Sequence, residues 1–280
     1  MGYRTDIAAE AHENLGDIEG VVSKKRTREG ISVTETEIIS DKAAEKLGKA
    51  KGKYVTIELE GLKNGDIDEE DAMELIAAEL RSLLCEGGVL VAGIGNRRMT
   101  PDALGPRTAD GVLATRHIAQ ALYKFAGIEN TRHVSVISTD VLGRTGIETC
   151  ELIKGAAEQI KPSAIIAVDA LSSLSVHRLG TTVQISNSGI SPGSGVGNRR
   201  SEISQRSLGV PVLAIGVPTV VDAATVAESY SGGFFEKRGF MVTPKEVDML
   251  VDTSARILAG GINMALNPHL PIEDIMHALA

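Results

Sequence analysis

Two aspartates have the side-chain chemistry for hydrolysis by an activated water molecule. Asp102 lies in GIGNRRMTPDALGP at residues 93–106, and Asp169 directly follows the apolar run AIIAV. When two carboxyl groups lie a few ångströms apart, the pKa of one rises, so one group is an acid and the other a base. Such a pair can activate water and protonate the leaving amine of a cleaved peptide. The two residues are therefore the candidate catalytic pair.

Each aspartate also has an explanation without chemistry. Thr100 and Pro101 are typical of a helix start, where Asp102 would be a first-turn acid favoured by the helix dipole. Asp169, at the end of a strand, is in a place where aspartates often form turns. Their spacing alone leaves these alternatives open.

A glycine-rich segment, SNSGISPGSGVGN at residues 186–198, follows another predicted strand. Backbone N–H groups brought together by such glycines can stabilise anions or oxyanions, and a flexible loop is the alternative. The candidates for oxyanion and substrate binding are Gly189, Gly193, Ser194, Gly195, Gly197 and Asn198. Candidate supporting residues in the other loops are Asn96, Thr145 and Glu148, the last of which is otherwise a helix-start residue.

The sequence favours neither a cofactor nor a metal. Arg98 stands where a dinucleotide-binding fingerprint has its third glycine, and the Walker lysine pattern is absent. The six histidines have no metal-ligand spacing, and His177, the one near a candidate loop, is expected at the surface. Cys150 lacks a histidine partner in the sequence and is interpreted as a buried, unreactive thiol. Metal-dependent hydrolysis remains the rival scheme.

The composition excludes several classes of function. A net charge of −8 argues against nucleic acid as the main partner. The N-terminus has no apolar run, and the sequence has no apolar stretch long enough for a membrane span, so no membrane partner is expected. Two cysteines fit a reducing compartment, and we expect a cytoplasmic protein.

Alternating strand and helix patterns must position the candidate residues. Four apolar runs predict strands buried on both faces: residues 88–94, 134–138, 164–168 and 210–216. Residues 54–59 predict a half-buried strand and residues 181–186 an edge strand. Helical patterns occur at residues 68–84, 101–123, 147–160 and 219–228. This alternation predicts an α/β fold with a mostly parallel or mixed sheet covered on both faces.

The two ends of the chain have contrasting patterns. Residues 243–246 (TPKE) match a capping box with proline at the first helical position, which predicts a last helix from there to about Leu266. Residues 1–52 are polar, mixed in charge and without a clear period, so a peripheral or mobile segment is expected.

Several long segments resemble the germination protease family of endospore-forming bacteria, endopeptidases that degrade small acid-soluble spore proteins. The segments are GIGNRRMTPDALGP, TGIETCELI, AIIAVDALSS, TTVQISNSGISPGSGVGNRR, LGVPVLAIGVPTVVDA and MVTPKEVDMLV. The resemblance implies the three-layer αβα, phosphorylase/hydrolase-like fold of the hydrogenase-maturation proteases. It also implies active-site carboxylates at Asp102 and Asp169, without the histidine that those relatives bring to a metal.

The resemblance further implies a zymogen that trims its own N-terminus. Residues 5–10 (TDIAAE) are similar to the family's target in spore proteins, Thr-Glu-Ile/Phe-Ala-Ser-Glu, which predicts a cut between Asp6 and Ile7. Residues 1–6 would be a pro-segment, and residues 7–280 a single peptidase domain with a peripheral region at about 7–52. The implied assembly is a homotetramer in the forespore or spore core, with spore proteins as substrates.

Three features depart from the family's pattern. Asn187 stands where the family usually has aspartate, and VLGRTGIET at residues 141–149 replaces a lead-in with Pro-Gly-Val-Met. The chain between Asp222 and Val242 is short where longer members have a large insertion. The alternative functions are a metal-dependent maturation-type protease and a non-enzymatic α/β module that binds an anion.

Overall fold

The computed structural model describes residues 5–64, 66–118, 131–193, 200–231 and 239–279. Its centre is a nine-stranded sheet with the order β1-β2-β3-β7-β8-β6-β4-β5, and β9 pairs with the end of β8. The strands are β1 (Val21–Arg28), β2 (Ile31–Ile38), β3 (Gly52–Glu58), β4 (Val89–Gly93), β5 (Val134–Ser138), β6 (Ala164–Ser173), β7 (Thr182–Ser186), β8 (Val212–Asp222) and β9 (Met241–Val242). The described α-helices are α1 (Ala8–Leu15), α2 (Asp41–Leu47), α3 (Glu69–Leu83), α4 (Leu104–Gly111), α5 (Leu142–Thr145), α6 (Thr149–Ile160), α7 (Gln205–Leu208), α8 (Ala223–Ser231), α9 (Val247–Leu266) and α10 (Ile272–Leu279).

The parallel half of the sheet is the scaffold of the candidate site. Strands β8, β6, β4 and β5 lie side by side, and alternate residues of each face opposite layers. Val89 and Val91 of β4 pack in a core with α3 and α9, whereas Leu90 and Ala92 pack with α6 and α7. Burial on both faces explains the continuous apolar runs of β4, β6 and β8. The same prediction is wrong for residues 134–138, because β5 lies at the edge of the sheet and is only partly buried. The predicted α/β fold with a mixed central sheet between helical layers is confirmed.

The other half of the sheet is antiparallel and includes the N-terminal region. β1, β2 and β3 pair in sequence, β3 pairs with β7, and β7 pairs with β8. The prediction of an edge strand at residues 181–186 is therefore wrong, because β3 covers the side that the local pattern left open. The region at residues 7–52 forms α1, β1, β2 and α2. Its first strand is mostly exposed, which explains the missing apolar alternation.

Two helices differ from their sequence patterns. Where one helix is predicted over residues 101–123, a 3₁₀ turn at Thr100–Asp102 leads into α4, which ends at Gly111. Residues 119–123 lie outside the described part of the chain. The helix predicted at residues 219–228 begins only at Ala223, because β8 continues to Asp222 and pairs there with β9.

The last long helix ends where the sequence predicts, at Leu266, but it begins later. The Thr243 hydroxyl donates to Thr219 O at 3.0 Å, so it does not cap a helix. Helix α9 starts at Val247, with Glu246 as its N-cap residue. The TPKE pattern thus connects β9 to the helix, and the predicted capping box is wrong.

Candidate active site

Asp169 lies where β4 stops and β6 continues. β4 pairs with β6 as far as Gly93 and Val168, whereas β8 accompanies β6 to Ser173. The sequence predicted that this strand ends at Val168, but β6 continues beyond it to Ser173. Asp169 is 5% exposed, and its carboxylate accepts a hydrogen bond from Ala170 N at 2.9 Å.

Asp102 approaches the ends of these strands from the loop after β4. That loop folds back so that Asn96 N donates to Asp102 Oδ2 at 2.8 Å. Gly95 has φ +118°, and a side chain there would overlap the backbone oxygen of Asp102. The glycine motif thus lets the backbone wrap around a half-buried carboxylate, and Asn96 supports Asp102 through its backbone.

Burial and neighbouring charges raise the pKa of both candidate carboxyl groups. Desolvation, followed by the charges of Asp102 and Asp6, raises the pKa of Asp169 well above its usual range. Desolvation also raises the pKa of Asp102; the hydrogen bond from Asn96 opposes this shift, and the charge of Asp140 adds to it. The pair therefore retains a proton to a higher pH than free aspartates do, and Asp169 is the more deeply buried of the two.

We expect Asp169→Asn to stabilise the fold at neutral pH. Because the folded-state pKa of Asp169 is raised, its contribution to stability is fully present below the unfolded pKa and is lost as the pH rises through the folded pKa. Asparagine avoids that loss, and each unit of pKa shift corresponds to about 1.4 kcal/mol. Urea unfolding at about pH 5 and about pH 8 measures the difference, which should grow with pH. Equal stability of the two proteins at both pH values would contradict the assignment.

The N-terminal segment, defined as residues 5–10, docks beside the aspartate pair. Asp6 N donates to Ser172 O at 3.0 Å, and the Asp6 carboxylate accepts from Ser172 N and Oγ, each at 2.9 Å. Lys49 Nζ donates to Thr5 O at 2.6 Å. Ser172 belongs to the same strand as Asp169, and the charge of Asp6 also raises the pKa of Asp169, so the predicted processing site lies near Asp169.

Gln184 of β7 forms one hydrogen bond on each side of the Asp6–Ile7 bond. Its Nε2 donates to Asp6 O and its Oε1 accepts from Ala8 N, both at 2.6 Å. In the sheet, Gln184 pairs with Gly216 of β8, and Gly216 pairs with Asp169 of β6. Paired residues project to the same face, so Gln184 and Asp169 flank a position that has no side chain.

Glu10 anchors the other end of the N-terminal segment. It is 3% exposed and accepts hydrogen bonds from Leu174 N, at 2.8 Å, and from the Thr5 hydroxyl. Arg178 Nε lies 3.7 Å from the Glu10 carboxylate, and Arg178 also pairs with the exposed Glu13 at 3.0 Å. Desolvation raises the pKa of Glu10, against the opposing effects of Thr5, Leu174 and Arg178.

Apolar contacts hold the residues that follow Asp6. Ile7 is fully buried and packs with Ala9, Leu171 and Ile190. A cleft of about 770 Å³ runs beside the segment, and Asp6, Lys49 and Gln184 are among its lining residues. The segment thus has a polar anchor at each end and an apolar one between them.

Comparison with known proteins decides the family. A family model described as germination protease matches residues 3–231. The germination proteases of Caldanaerobacter subterraneus subsp. tengcongensis and Clostridium tetani are 41% and 40% identical to this chain, over 100% and 98% of it and 98% of each relative. The chain belongs to the germination protease family. It is therefore a peptidase, as predicted.

Other comparisons extend this finding. The germination protease of Priestia megaterium is 36% identical over 97% of this chain and 95% of the relative. Its alignment spans 354 positions against the 280 residues here, so that relative contains residues that this chain lacks. Among solved structures, the [NiFe] hydrogenase maturation protease HycI of Thermococcus kodakarensis matches with a TM-score of 0.40 and 17% identity, over 67% of this chain and 98% of that chain. Within the ranges described, no helix is long and apolar enough to cross a membrane.

The other loop candidates have local roles where they are described. Thr145 Oγ1 donates to Ile147 O at 2.9 Å, and Glu148 N donates to Glu151 Oε2 at 3.1 Å, so both residues form hydrogen bonds at a helix end. Gly189 and Gly193 have φ near +79° and +72°. Ser194, Gly195, Gly197 and Asn198 lie outside the described residues.

Three further sequence interpretations can be compared with the structure. His177 is exposed, as predicted. Cys150 is half-buried rather than buried, and its Sγ donates to Glu202 O at 3.3 Å. Asn187 Oδ1 accepts from Lys53 N at 2.8 Å, so this departure from the family pattern joins β3 to the end of β7.

Sequence reasoning missed the residues that hold the N-terminal segment: Ser172, Gln184, Lys49 and Arg178. Gln184 had a usable signal, because a polar residue inside a strand that is otherwise apolar or small needs a buried partner. The other three had none, since their contacts depend on where distant parts of the chain meet.

Proposed function

We propose that this protease is made as a zymogen, cuts its own Asp6–Ile7 bond and then starts the degradation of small acid-soluble spore proteins. The observation that supports the proposal is the placement of Asp6. Gln184 donates a hydrogen bond to the carbonyl oxygen of Asp6, and the charge of Asp6 raises the pKa of Asp169. Residues 1–6 are then the pro-segment and residues 7–280 the peptidase domain, with about 7–52 as its peripheral part.

In the mechanism that we favour, Asp102 is the base and Asp169 the acid. Water loses a proton to the Asp102 carboxylate while its oxygen attacks the Asp6 carbonyl carbon. The tetrahedral intermediate collapses, the bond to Ile7 N breaks, and the proton of Asp169 passes to that nitrogen. Asp6 is left with a free carboxyl group and Ile7 with an amine. After the step Asp102 is protonated and Asp169 is ionised. The deeper burial of Asp169 supports its role as the acid.

The contacts of the N-terminal segment support spore proteins as substrates. Ser172 binds an acid at position 6, the pocket around Ile7 accepts an apolar residue, and Arg178 with Leu174 N receives a glutamate at position 10. This order of side chains matches the target Thr-Glu-Ile/Phe-Ala-Ser-Glu. A homotetramer in the forespore or spore core, without a cofactor, completes the proposal and rests on the family resemblance.

N-terminal sequencing of the full chain after mild acidification tests the proposal. We expect a new terminus at Ile7, together with cleavage of a synthetic peptide that contains Thr-Glu-Ile-Ala-Ser-Glu. Cleavage that a chelator stops and added divalent metal restores would favour a metal-dependent protease. An intact Met1 and an uncut peptide, with phosphate bound, would favour the anion-binding module.

Glu10→Gln should slow self-cleavage about tenfold, because hydrogen bonds to a charged group contribute about 1.5–3 kcal/mol. Glu13→Gln is the matched control: Glu13 contacts the same Arg178 but is 60% exposed, and exposed ion pairs contribute about 0–1 kcal/mol. Mass spectrometry of the residue 1–6 fragment over time gives both rates. If the two variants were equally slow, a specific role for Glu10 would be contradicted.

A further inference from the structure

We infer that Gln184 is a catalytic residue of this protease: its side-chain amide stabilises the oxyanion that forms on the Asp6 carbonyl and fixes the peptide on both sides of the cut. This inference rests on the proposed cleavage at Asp6–Ile7. The oxyanion donor is then in the middle of β7 and not in the glycine-rich segment, where the sequence predicted it.

The two hydrogen bonds of Gln184 lie on either side of the bond to be cut. Nε2 donates to the oxygen of Asp6, the carbonyl that would be attacked, and Oε1 accepts from Ala8 N, one residue beyond the leaving nitrogen. The partners fix the orientation of the amide, because the opposite orientation would place oxygen against oxygen and N–H against N–H. One rigid, planar group thus aligns the bond.

The sheet places this amide opposite the proposed acid. Gln184, Gly216 and Asp169 are register partners on three neighbouring strands. At Gly216, a Cβ would overlap Asp169 O and the Leu171 side chain. A residue without a side chain therefore keeps the gap open between the donor on β7 and the carboxyl group on β6.

The surroundings favour stabilisation of a developing negative charge. Gln184 is 8% exposed, and hydrogen bonds strengthen where water is excluded. The amide is neutral, so it does not neutralise the Asp102 base. The nearby amine of Lys49 donates instead to Thr5 O, one carbonyl before the cut. Gln184 is therefore the group that donates to the reacting carbonyl oxygen and stabilises its negative charge.

Two substitutions separate the two hydrogen bonds of Gln184 in the full-length chain. Gln184→Glu keeps an acceptor for Ala8 N but replaces the N–H donor with a carboxylate. Gln184→Leu removes both. Gln159→Glu makes the same chemical change at an exposed position of α6 and serves as the control. The measurements are the rate of Asp6–Ile7 cleavage by mass spectrometry and hydrogen exchange at the Ala8 amide.

We expect both Gln184 variants to cut at least about 100-fold more slowly, since loss of one oxyanion donor typically costs 10²–10³ in rate. The Ala8 amide should stay protected in Gln184→Glu and lose protection in Gln184→Leu, while exchange in β4 and β6 stays unchanged. If Gln184 only supported the fold, Gln184→Glu would not slow cleavage while the Ala8 amide stays protected.

The inference is overturned if the wild type cuts and Gln184→Glu cuts within about threefold of it, below the effect of any lost oxyanion donor; the proposed function then stands. It is also overturned if the Ala8 amide of the wild type is unprotected, because the docked geometry is then absent. A wild type that never cuts, with Ala8 protected, overturns the proposed function and this role together.

Discussion

A chain with Asp102→Asn or Asp169→Asn is expected to keep Met1 and to leave the Asp6–Ile7 bond intact. In the proposed mechanism the Asp102 carboxylate takes the proton of water and the Asp169 carboxyl group delivers a proton to Ile7 N, so each variant lacks one of these groups. Since general acid–base catalysis contributes about 10²–10⁴-fold per group, each variant should cut at least about 100-fold more slowly. Mass spectrometry after mild acidification measures the residual rate.

Asp110→Asn is the control for these two variants. Asp110 belongs to α4, close in sequence to Asp102, but its carboxylate is 56% exposed and pairs with Arg97 at the surface. Its replacement should leave the cleavage rate within about twofold, because surface ion pairs contribute about 0–1 kcal/mol. Normal cleavage by a folded Asp102→Asn or Asp169→Asn chain would remove that aspartate from the mechanism.

Gly105→Ala is expected to destabilise the fold by about 3 kcal/mol or more, at the upper end of the cost of overpacking. A Cβ at Gly105 would lie closer than 3.0 Å to the carbonyl oxygens of Ile94 and Val168, which belong to the backbone and cannot rotate away. Helix α4 would have to move off the sheet, and the turn that holds Asp102 directly precedes it. Urea denaturation measures the loss of stability.

Gly155→Ala provides the opposite result as a control. Gly155 lies in the exposed part of α6, and a Cβ there meets no atom within 4 Å. Alanine in a helix interior is more favourable than glycine by about 0.5–1 kcal/mol, so this variant should be slightly more stable. If both substitutions changed stability equally, close packing of α4 would not be the cause.

The fold could be predicted where each segment carries its own signal. The runs of β4, β6 and β8 are apolar because helices cover both faces, and α3 has a complete apolar stripe. The errors arise where a distant segment decides the outcome. β7 is interior because β3 lies beside it, and Thr219 stays in β8 because β6 and β9 pair with that strand.

The candidate site was predictable to the same degree. Asp102 and Asp169 follow apolar runs of the sequence, and residues 5–10 resemble a known target, so their types and order were informative. The hydrogen bonds from Gln184 and Lys49 to the N-terminal segment join residues that lie more than forty positions apart. No local pattern encodes such contacts.

The burial of Ile7 has a consequence for the timing of activity. If the proposed cut at Asp6–Ile7 takes place, residues 1–6 can diffuse away, but Ile7 and α1 stay covalently attached, with Ala8 and Ala11 packed against the sheet and α2. The fresh terminus is then a tethered product that competes with every incoming substrate. Hydrolysis of added peptide should therefore begin later than self-cleavage. The length of this delay depends on how quickly Ile7 and α1 leave the cleft.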